Sequence, residues 1–529
     1  MSSKMKRREF IGLTAVSGAA VLASARSAVA GGPVQVDLEE TTIAALQSAM
    51  ASGSATSKDI VSGYLARIKE LNPKLNALIE INPDALAIAE QMDRERKAGK
   101  VRGPMHGIPV VLKDNIDTAD KMKTTAGSLA LADAPTPKED AFIVKKLRDA
   151  GAVILGKTNL SEWANYRSNF SSSGWSGRGG QTHNPYVLDR SPCGSSSGSA
   201  AATAANLTAV SIGTETNGSI ICPSSNNCLV GIKPTLGLVS RSGIIPIAES
   251  QDTAGPMTRT VADAAILLGA IVGTDSKDGV TAQASKGLSD YTPHLKADGL
   301  KGKRIGVARN YFGSVTRVDA MMEEQIKVLK AQGAEIIDVR LDLAGVGDSS
   351  SQVLSFEFKD GVNRYLAGRG GSMKTLEDLI AFNNANPDRE MKYFKQEIFL
   401  SSQEKAPLSS RQYKLALMQA KTISQEAIDG VMDKNKLDAM MGPSNGAAWP
   451  IDLVNGDGGS RNSYVSTSSP SAIAGYPNIT VPCGFLTALP IGISFWGRAF
   501  SEPVLIEIAF SYEQATKARR KPEFLPTYA

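Results

Sequence analysis

The chain has 529 residues, 42% of them hydrophobic, 21% charged and 6% aromatic, a globular composition that excludes a disordered or fibrous protein. Of its formal charge of +5, residues 1–30 hold +4, because Lys4, Lys6, Arg7, Arg8 and Arg26 face only Glu9; the remaining +1 is spread over everything after. A nearly neutral body carries no electrostatic footprint for nucleic acid or an anionic membrane.

The first thirty residues read as a cleaved export signal. Arg7-Arg8-Glu9-Phe10-Ile11 precedes a mildly apolar stretch over 11–25, and Ala28-Val29-Ala30 closes it. A basic start, a short apolar middle and an A-x-A end have that form, and the paired arginines indicate the twin-arginine route. The apolar run is too short and too rich in Gly, Ser and Thr for a membrane span of ~20 residues. The expectation is cleavage after Ala30, a periplasmic or secreted location without stable membrane association, and a mature part of 31–529. At about 150 residues per domain, length alone allows two to four domains or one large α/β unit.

Apolar positions at three- and four-residue spacing then predict helices over 42–50, 57–71 and 83–97, with a strand at 75–81. Gly107-Ile108-Pro109-Val110-Val111-Leu112-Lys113-Asp114-Asn115 reads as a buried strand ending in charge. A lysine there is unusual; the ordinary alternative is a surface lysine that snorkels. A helix over 141–149 and a strand at 152–155 follow. Residues 151–158 match the P-loop pattern G-x-x-x-x-G-K-[ST] in form. Their four middle residues, which ought to cradle phosphate, are instead the most apolar and β-prone, so nucleotide binding is not expected. Residues 157–163 turn into a short helix, and 168–190 form a long loop.

Next comes the stretch around which the chain is organised. Ser191-Pro192-Cys193-Gly194-Ser195-Ser196-Ser197-Gly198-Ser199-Ala200 packs five serines and two glycines into ten positions before an alanine-rich helix, which Ser197 or Ser199 can cap. An apolar run over 207–212 leads to a second serine-bearing turn, Glu215-Thr216-Asn217-Gly218-Ser219. Glycine and small polar residues before a helix leave backbone N–H groups facing a ligand, so the two turns are expected to share one site. Residues 223–227 and 233–235 are turn-rich, and 252–257 read as a loop feeding a helix over 261–272. After a polar junction at 275–302, strands at 303–308 and 335–339 flank a helix at 318–331. Residues 350–435 are charged, mostly helical and suited to covering one face, while 439–443 and 479–482 resemble strand ends. A strand at 491–496 and a helix at 503–517 close the chain.

The cysteines, Cys193, Cys222, Cys228 and Cys483, match no zinc spacing, and only His106, His183 and His294 could assist them, so neither a metal nor a cofactor is expected. An oxidising compartment permits a Cys222–Cys228 bridge, but small buried thiols are the expected state.

A catalytic serine needs a positioned base, and three arrangements present themselves. Gly194-Ser195-Ser196-Ser197-Gly198 matches the nucleophile-elbow pattern, but it follows no strand and would need His294 from a polar stretch. Ser402-Gln403-Glu404-Lys405 has Ser-x-x-Lys spacing in what reads as a solvated helix. The third is a serine–lysine system assembled from distant segments.

For that third arrangement the chain resembles the amidase signature family. The likeness runs over about 38–525 and is carried by Leu112-Lys113-Asp114-Asn115, Gly156-Lys157-Thr158-Asn159, the two serine turns, Gly231-Ile232-Lys233-Pro234-Thr235, Asp252-Thr253-Ala254-Gly255-Pro256-Met257 and Leu489-Pro490-Ile491-Gly492. Residues 159–165 and 191–197 are most similar to bacterial peptide amidases. The resemblance implies one large α/β domain, a mixed twisted sheet with helices on both faces and a signature core at about 105–260. It places the family's lysine on Lys113, its bridging serine on Ser195, after a cis Gly194–Ser195 bond, and its nucleophile on Ser219. Backbone N–H groups of Thr216, Asn217, Gly218 and Ser219 would form the oxyanion hole, and Ser196 would be a hydrogen-bond partner behind the serines. Cys193, Ser197 and Asn217 stand where the commonest family pattern has glycine, which bears on substrate preference. The implied activity is hydrolysis of carboxamide C–N bonds in small amides or C-terminal peptide amides. The alternatives are the transamidase subunit of a tRNA-dependent amidotransferase and a non-catalytic binding protein.

Overall fold

In the computed structural model, which describes residues 37–458 and 466–528, eleven strands form one mixed sheet. Across it run Leu78–Ile81, Val153–Thr158, Pro109–Lys113, Val210–Glu215, Thr253–Thr258, Val230–Lys233, Asn478–Leu486, Leu489–Trp496, Ala439–Pro443, Arg304–Ala308 and Glu335–Val339. With helices on both sides, this sheet belongs to a single unit, Val36–Ala529, so the length is spent on one α/β domain. The segment read as an export signal, 1–30, lies outside the described residues.

Pro109–Lys113 pairs in parallel with Val153–Thr158 on one side and with Val210–Glu215 on the other. Every residue of these three strands is buried, as strands between two helical layers require. Their register sets Leu112 opposite Ile212, so Lys113 and the end of Val210–Glu215 emerge side by side at the carboxyl edge of the parallel strands. Open α/β sheets form their ligand crevices at such edges.

Residues 252–257, expected to be a loop, instead contribute Thr253–Thr258, a central strand antiparallel to both Val210–Glu215 and Val230–Lys233. A glycine and a proline in its middle hide the strand signal. The glycine is there for space: a Cβ on Gly255 would stand 2.0 Å from the Ile232 carbonyl oxygen of the neighbouring strand. Residues 223–227, read as turn-rich, fall largely within a short helix, Ile221–Asn226. The alanine-rich helix starts at Ser197 with Ser196 in the cap position, and no side chain caps it, which corrects the roles expected of Ser197 and Ser199. Their hydroxyls are drawn elsewhere, Ser197 Oγ to the Cys193 carbonyl at 2.6 Å and Ser199 Oγ to the Ile212 carbonyl at 3.1 Å.

The expected helical cover consists chiefly of Val346–Arg369, Leu376–Ala385, Glu397–Gln403 and Arg411–Asn435. Phe399 from the cover meets Trp163, which belongs to the 3-10 turn Glu162–Asn165, and Phe358 packs on Phe399 and on Tyr166 just after that turn. These aromatic contacts seat the cover on a stretch that borders the serine turns.

Candidate active site

Lys113, the last residue of its strand, is fully buried. Its Nζ lies 2.7 Å from Ser195 Oγ, 2.9 Å from Thr214 Oγ1 and 3.2 Å from the Thr214 carbonyl oxygen. Ser195 Oγ lies 3.0 Å from Ser219 Oγ. Three residues from separate segments therefore make one unbroken chain of polar contacts. A neutral amine has two N–H donors and one lone pair, and this shell offers two acceptors on Thr214 and one hydroxyl on Ser195. Burial lowers the Lys113 pKa to about 7, against the weaker opposing pull of Asp252 and Glu215. At neutral pH a large fraction of the amine is thus uncharged.

The turn bearing Ser219 is held from below. Glu215 Oε2 accepts from the N–H groups of Ile220 at 2.7 Å and Ile221 at 3.0 Å, satisfying the start of the helix that follows. Thr216 Oγ1 donates to Asp252 Oδ1 at 2.5 Å, and Asp252 Oδ2 accepts from the N–H groups of Ile247 and Ala248. Gly218 has φ +85°, a conformation that favours glycine. Among the described residues, none of the N–H groups of Thr216, Asn217, Gly218 or Ser219 donates a hydrogen bond within the chain. They are free to face an incoming carbonyl oxygen. Asn217, in a position where the family pattern has glycine, accepts at Oδ1 from Ser468 Oγ and Ser469 Oγ, so its side chain is tied to a neighbouring helix.

Ser196, expected behind the serines, donates from Oγ to the Thr214 carbonyl at 3.0 Å and accepts from the Thr214 N–H at 3.2 Å. It braces the residue that holds Lys113. The Gly194–Ser195 peptide bond is cis, and the Ser195 carbonyl accepts from the Ser161 N–H at 3.1 Å. Thr214 itself, and Asn115, whose Nδ2 donates to Thr214 Oγ1 at 3.0 Å, were not singled out by sequence reasoning. The available signal was proximity in the chain: each lies two residues from a residue that was, Asn115 from Lys113 and Thr214 from Thr216.

The other serine arrangements are not assembled. His294 Nδ1 lies 2.9 Å from Glu507 Oε1, engaged with the closing helix. The Lys405 ammonium sits 5.4 Å from the centre of the Phe356 ring instead of serving Ser402. In the P-loop look-alike, Lys157 is buried and donates to the Ile116 carbonyl at 2.6 Å and Thr124 Oγ1 at 2.8 Å. The cysteine expectation is corrected: Cys193 is bridged to Cys222, with Cα atoms 6.0 Å apart, while Cys228 and Cys483 are buried thiols. Cys222 and Cys228 stand at opposite ends of the Ile221–Asn226 helix, whereas folding brings the turn before Ser195 against the start of that helix.

A cavity of about 420 Å³ opens over Ser219, with Asn165, Tyr166, Ile247, Leu354 and Trp449 on its walls. A second, of about 270 Å³, reaches Ser195 and Thr216 from the Arg241 and Tyr365 side. The sequence profile described as Amidase matches residues 59–506. The chain belongs to the amidase family. The amidase activity is hydrolysis of an amide C–N bond. This amidase is 44% identical over 501 residues to a probable amidase of Arabidopsis thaliana, covering 92% of each chain. It is similar to the solved peptide amidase of Stenotrophomonas maltophilia, with a TM-score of 0.87 and 48% identity over 92% of this chain and 99% of that one. It is also 36% identical over 496 residues to a glutamyl-tRNA(Gln) amidotransferase subunit of Thermoanaerobacter pseudethanolicus, over 92% of this chain and 99% of the relative.

Proposed function

We propose that this amidase releases ammonia or an amine from small amides and C-terminally amidated peptides, using Lys113, Ser195 and Ser219 in series. The observation that carries the assignment of roles is the continuous path Lys113 Nζ, Ser195 Oγ, Ser219 Oγ, with steps of 2.7 and 3.0 Å. Neutral Lys113 takes the proton of Ser195 as Ser195 takes that of Ser219. Ser219 Oγ attacks the amide carbon, and the negative oxygen that forms is met by the N–H groups of residues 216–219. The proton returns through Ser195 to the departing nitrogen, leaving an acyl-enzyme. A water molecule, deprotonated by the same relay, then releases the acid and restores Ser219.

The 48% identity to a solved peptide amidase supports a peptide-amide substrate, as does an open cavity of about 420 Å³ over Ser219, large enough for a residue or two. The likeness to amidotransferase subunits supports transamidation as a second reading, which requires partner subunits. The test is ammonia release by the isolated chain from a panel of amides and peptide amides, with Ser219→Ala and Lys113→Ala as comparators. Activity of the unaccompanied protein disfavours the transamidase, and equal activity in the variants removes the relay. We also propose export through residues 1–30. A reporter fused to this segment should leave the cytoplasm only while Arg7 and Arg8 are intact; retention of the unaltered fusion refutes it.

A further inference from the structure

The bridge between Cys193 and Cys222 joins the two catalytic turns covalently. Cys193 is two residues before Ser195, and Cys222 is three residues after Ser219. Each cysteine is tied into its own turn: the Cys193 carbonyl accepts from Ser197 Oγ, and the Cys222 N–H donates to the Gly218 carbonyl at 2.8 Å. Besides this bond, the turns and their flanks are linked by the Ser195–Ser219 hydroxyl contact, by the Ser196 N–H, 3.3 Å from the Ser219 carbonyl oxygen, by Ser196 Oγ paired with both backbone groups of Thr214, and by Asn227 Nδ2, which donates to the Pro192 carbonyl at 2.8 Å. All of these are hydrogen bonds, and the first has to rearrange in every turnover. Both cysteines also line the cavity over Ser219, where Trp449 packs against them.

Resting on the relay proposed above, we propose that the Cys193–Cys222 disulfide is a positioning element for the reaction. It clamps the turn of the bridging serine to the turn of the nucleophile, so the enzyme reaches full rate only after the bond closes. The reason is geometric. A proton relay over two contacts tolerates little drift, and a displacement of about 1 Å costs on the order of a hundredfold in rate. Substrate binding relies on the cavity walls as a whole and is less sensitive. Closure occurs by exchange with an external disulfide. The thiolate of one cysteine attacks that disulfide and expels one thiol. The thiolate of the other then attacks the mixed disulfide and expels the second. Two cysteine thiols are oxidised, one external disulfide is reduced to two thiols, and the two protons pass from the cysteines to those thiols. A chain exported already folded would meet such an oxidant after leaving the cytoplasm, which would confine full activity to the outside.

The test compares the full-length protein in three forms: as purified with the bond intact, reduced with a phosphine at 25 °C, and reoxidised with glutathione disulfide. Intact-mass measurement after alkylation reports the state of the bond, and circular dichroism the fold. Reduction should lower kcat for a peptide amide by about ten- to a hundredfold with KM changed by less than about twofold. Serine labelling by a phosphonate should slow in parallel, and reoxidation should restore both. The Cys193→Ser, Cys222→Ser double variant should match the reduced form and ignore reductant. Unchanged kcat and labelling in folded, reduced enzyme overturns the clamp, even if the melting temperature falls. If the double variant does not fold, reduction of the native enzyme decides alone. If the oxidised protein neither turns over amides nor takes the phosphonate, the relay itself fails and the clamp falls with it.

Discussion

Lys113 and Lys157 sit on adjacent parallel strands, both completely buried, and yet their surroundings suit them to opposite tasks. Around Lys113 the neighbours are hydroxyls and a carbonyl, from Ser195 and Thr214, with carboxylates only in the background. Around Lys157 the direct contacts are likewise a carbonyl and a hydroxyl, of Ile116 and Thr124, and burial lowers its pKa against the opposing pull of Asp114 and Asp117. Burial strips water from both amines alike. What differs is where the contacts lead: Ser195 connects Lys113 to Ser219, whereas Ile116 and Thr124 tie Lys157 into the fold. The first amine has the contacts of the proposed relay; the second has those of a buried structural lysine.

The sharpest way to break that comparison is to remove each amine. Lys113→Ala, like Ser219→Ala, should reduce kcat/KM by about 10⁴-fold or more, because members of one relay fail together. Its folding stability should hold or rise. Lys157→Met should do the reverse, losing about 3 kcal/mol of stability in a denaturant titration while the folded enzyme keeps its rate. Equal catalytic losses in both would erase the distinction.

Proton linkage offers a finer test. With Lys113 lowered to about 7 and an ordinary lysine near 10.5, the unfolded chain holds a proton that the folded chain has lost between those values. Raising pH through that window therefore favours the folded state, so the stability gained by Lys113→Met over wild type should shrink from about pH 7 upward. Over the lower range kcat/KM should rise with pH and level off above about 7. A flat profile from pH 5 to 9 would show that the amine is not the base.

Smaller effects test the supports. Thr214→Val removes the Oγ1 contact to Lys113 and should cost roughly tenfold in kcat, with an altered pH profile. Asn217→Gly keeps the backbone N–H while releasing Ser468 and Ser469, and should shift kcat/KM among substrates by about 1 kcal/mol. Uniform loss across substrates would mean that the Asn217 side chain maintains the turn instead of tuning selectivity.

Much of this was legible from the chain because it depends on local chemistry. An apolar strand ending in Lys113, a serine- and glycine-rich turn before an alanine helix, and Gly218 ahead of Ser219 each announce themselves through backbone needs and burial. They determined the α/β class and a shared site for the two serine turns; the choice of Lys113, Ser195 and Ser219 as the relay came from the likeness to the amidase signature family. Folding alone decided which segments meet. The Thr253–Thr258 strand could not be read because a glycine made for a close approach and a proline look like a loop until the neighbouring strands are in place. The Cys193–Cys222 pairing and the grip of Thr214 on Lys113 were equally hidden, since both join residues remote in sequence. Propensity and hydrophobic pattern act over a few residues, whereas contacts of this kind exist only once the sheet order brings distant segments within bonding distance.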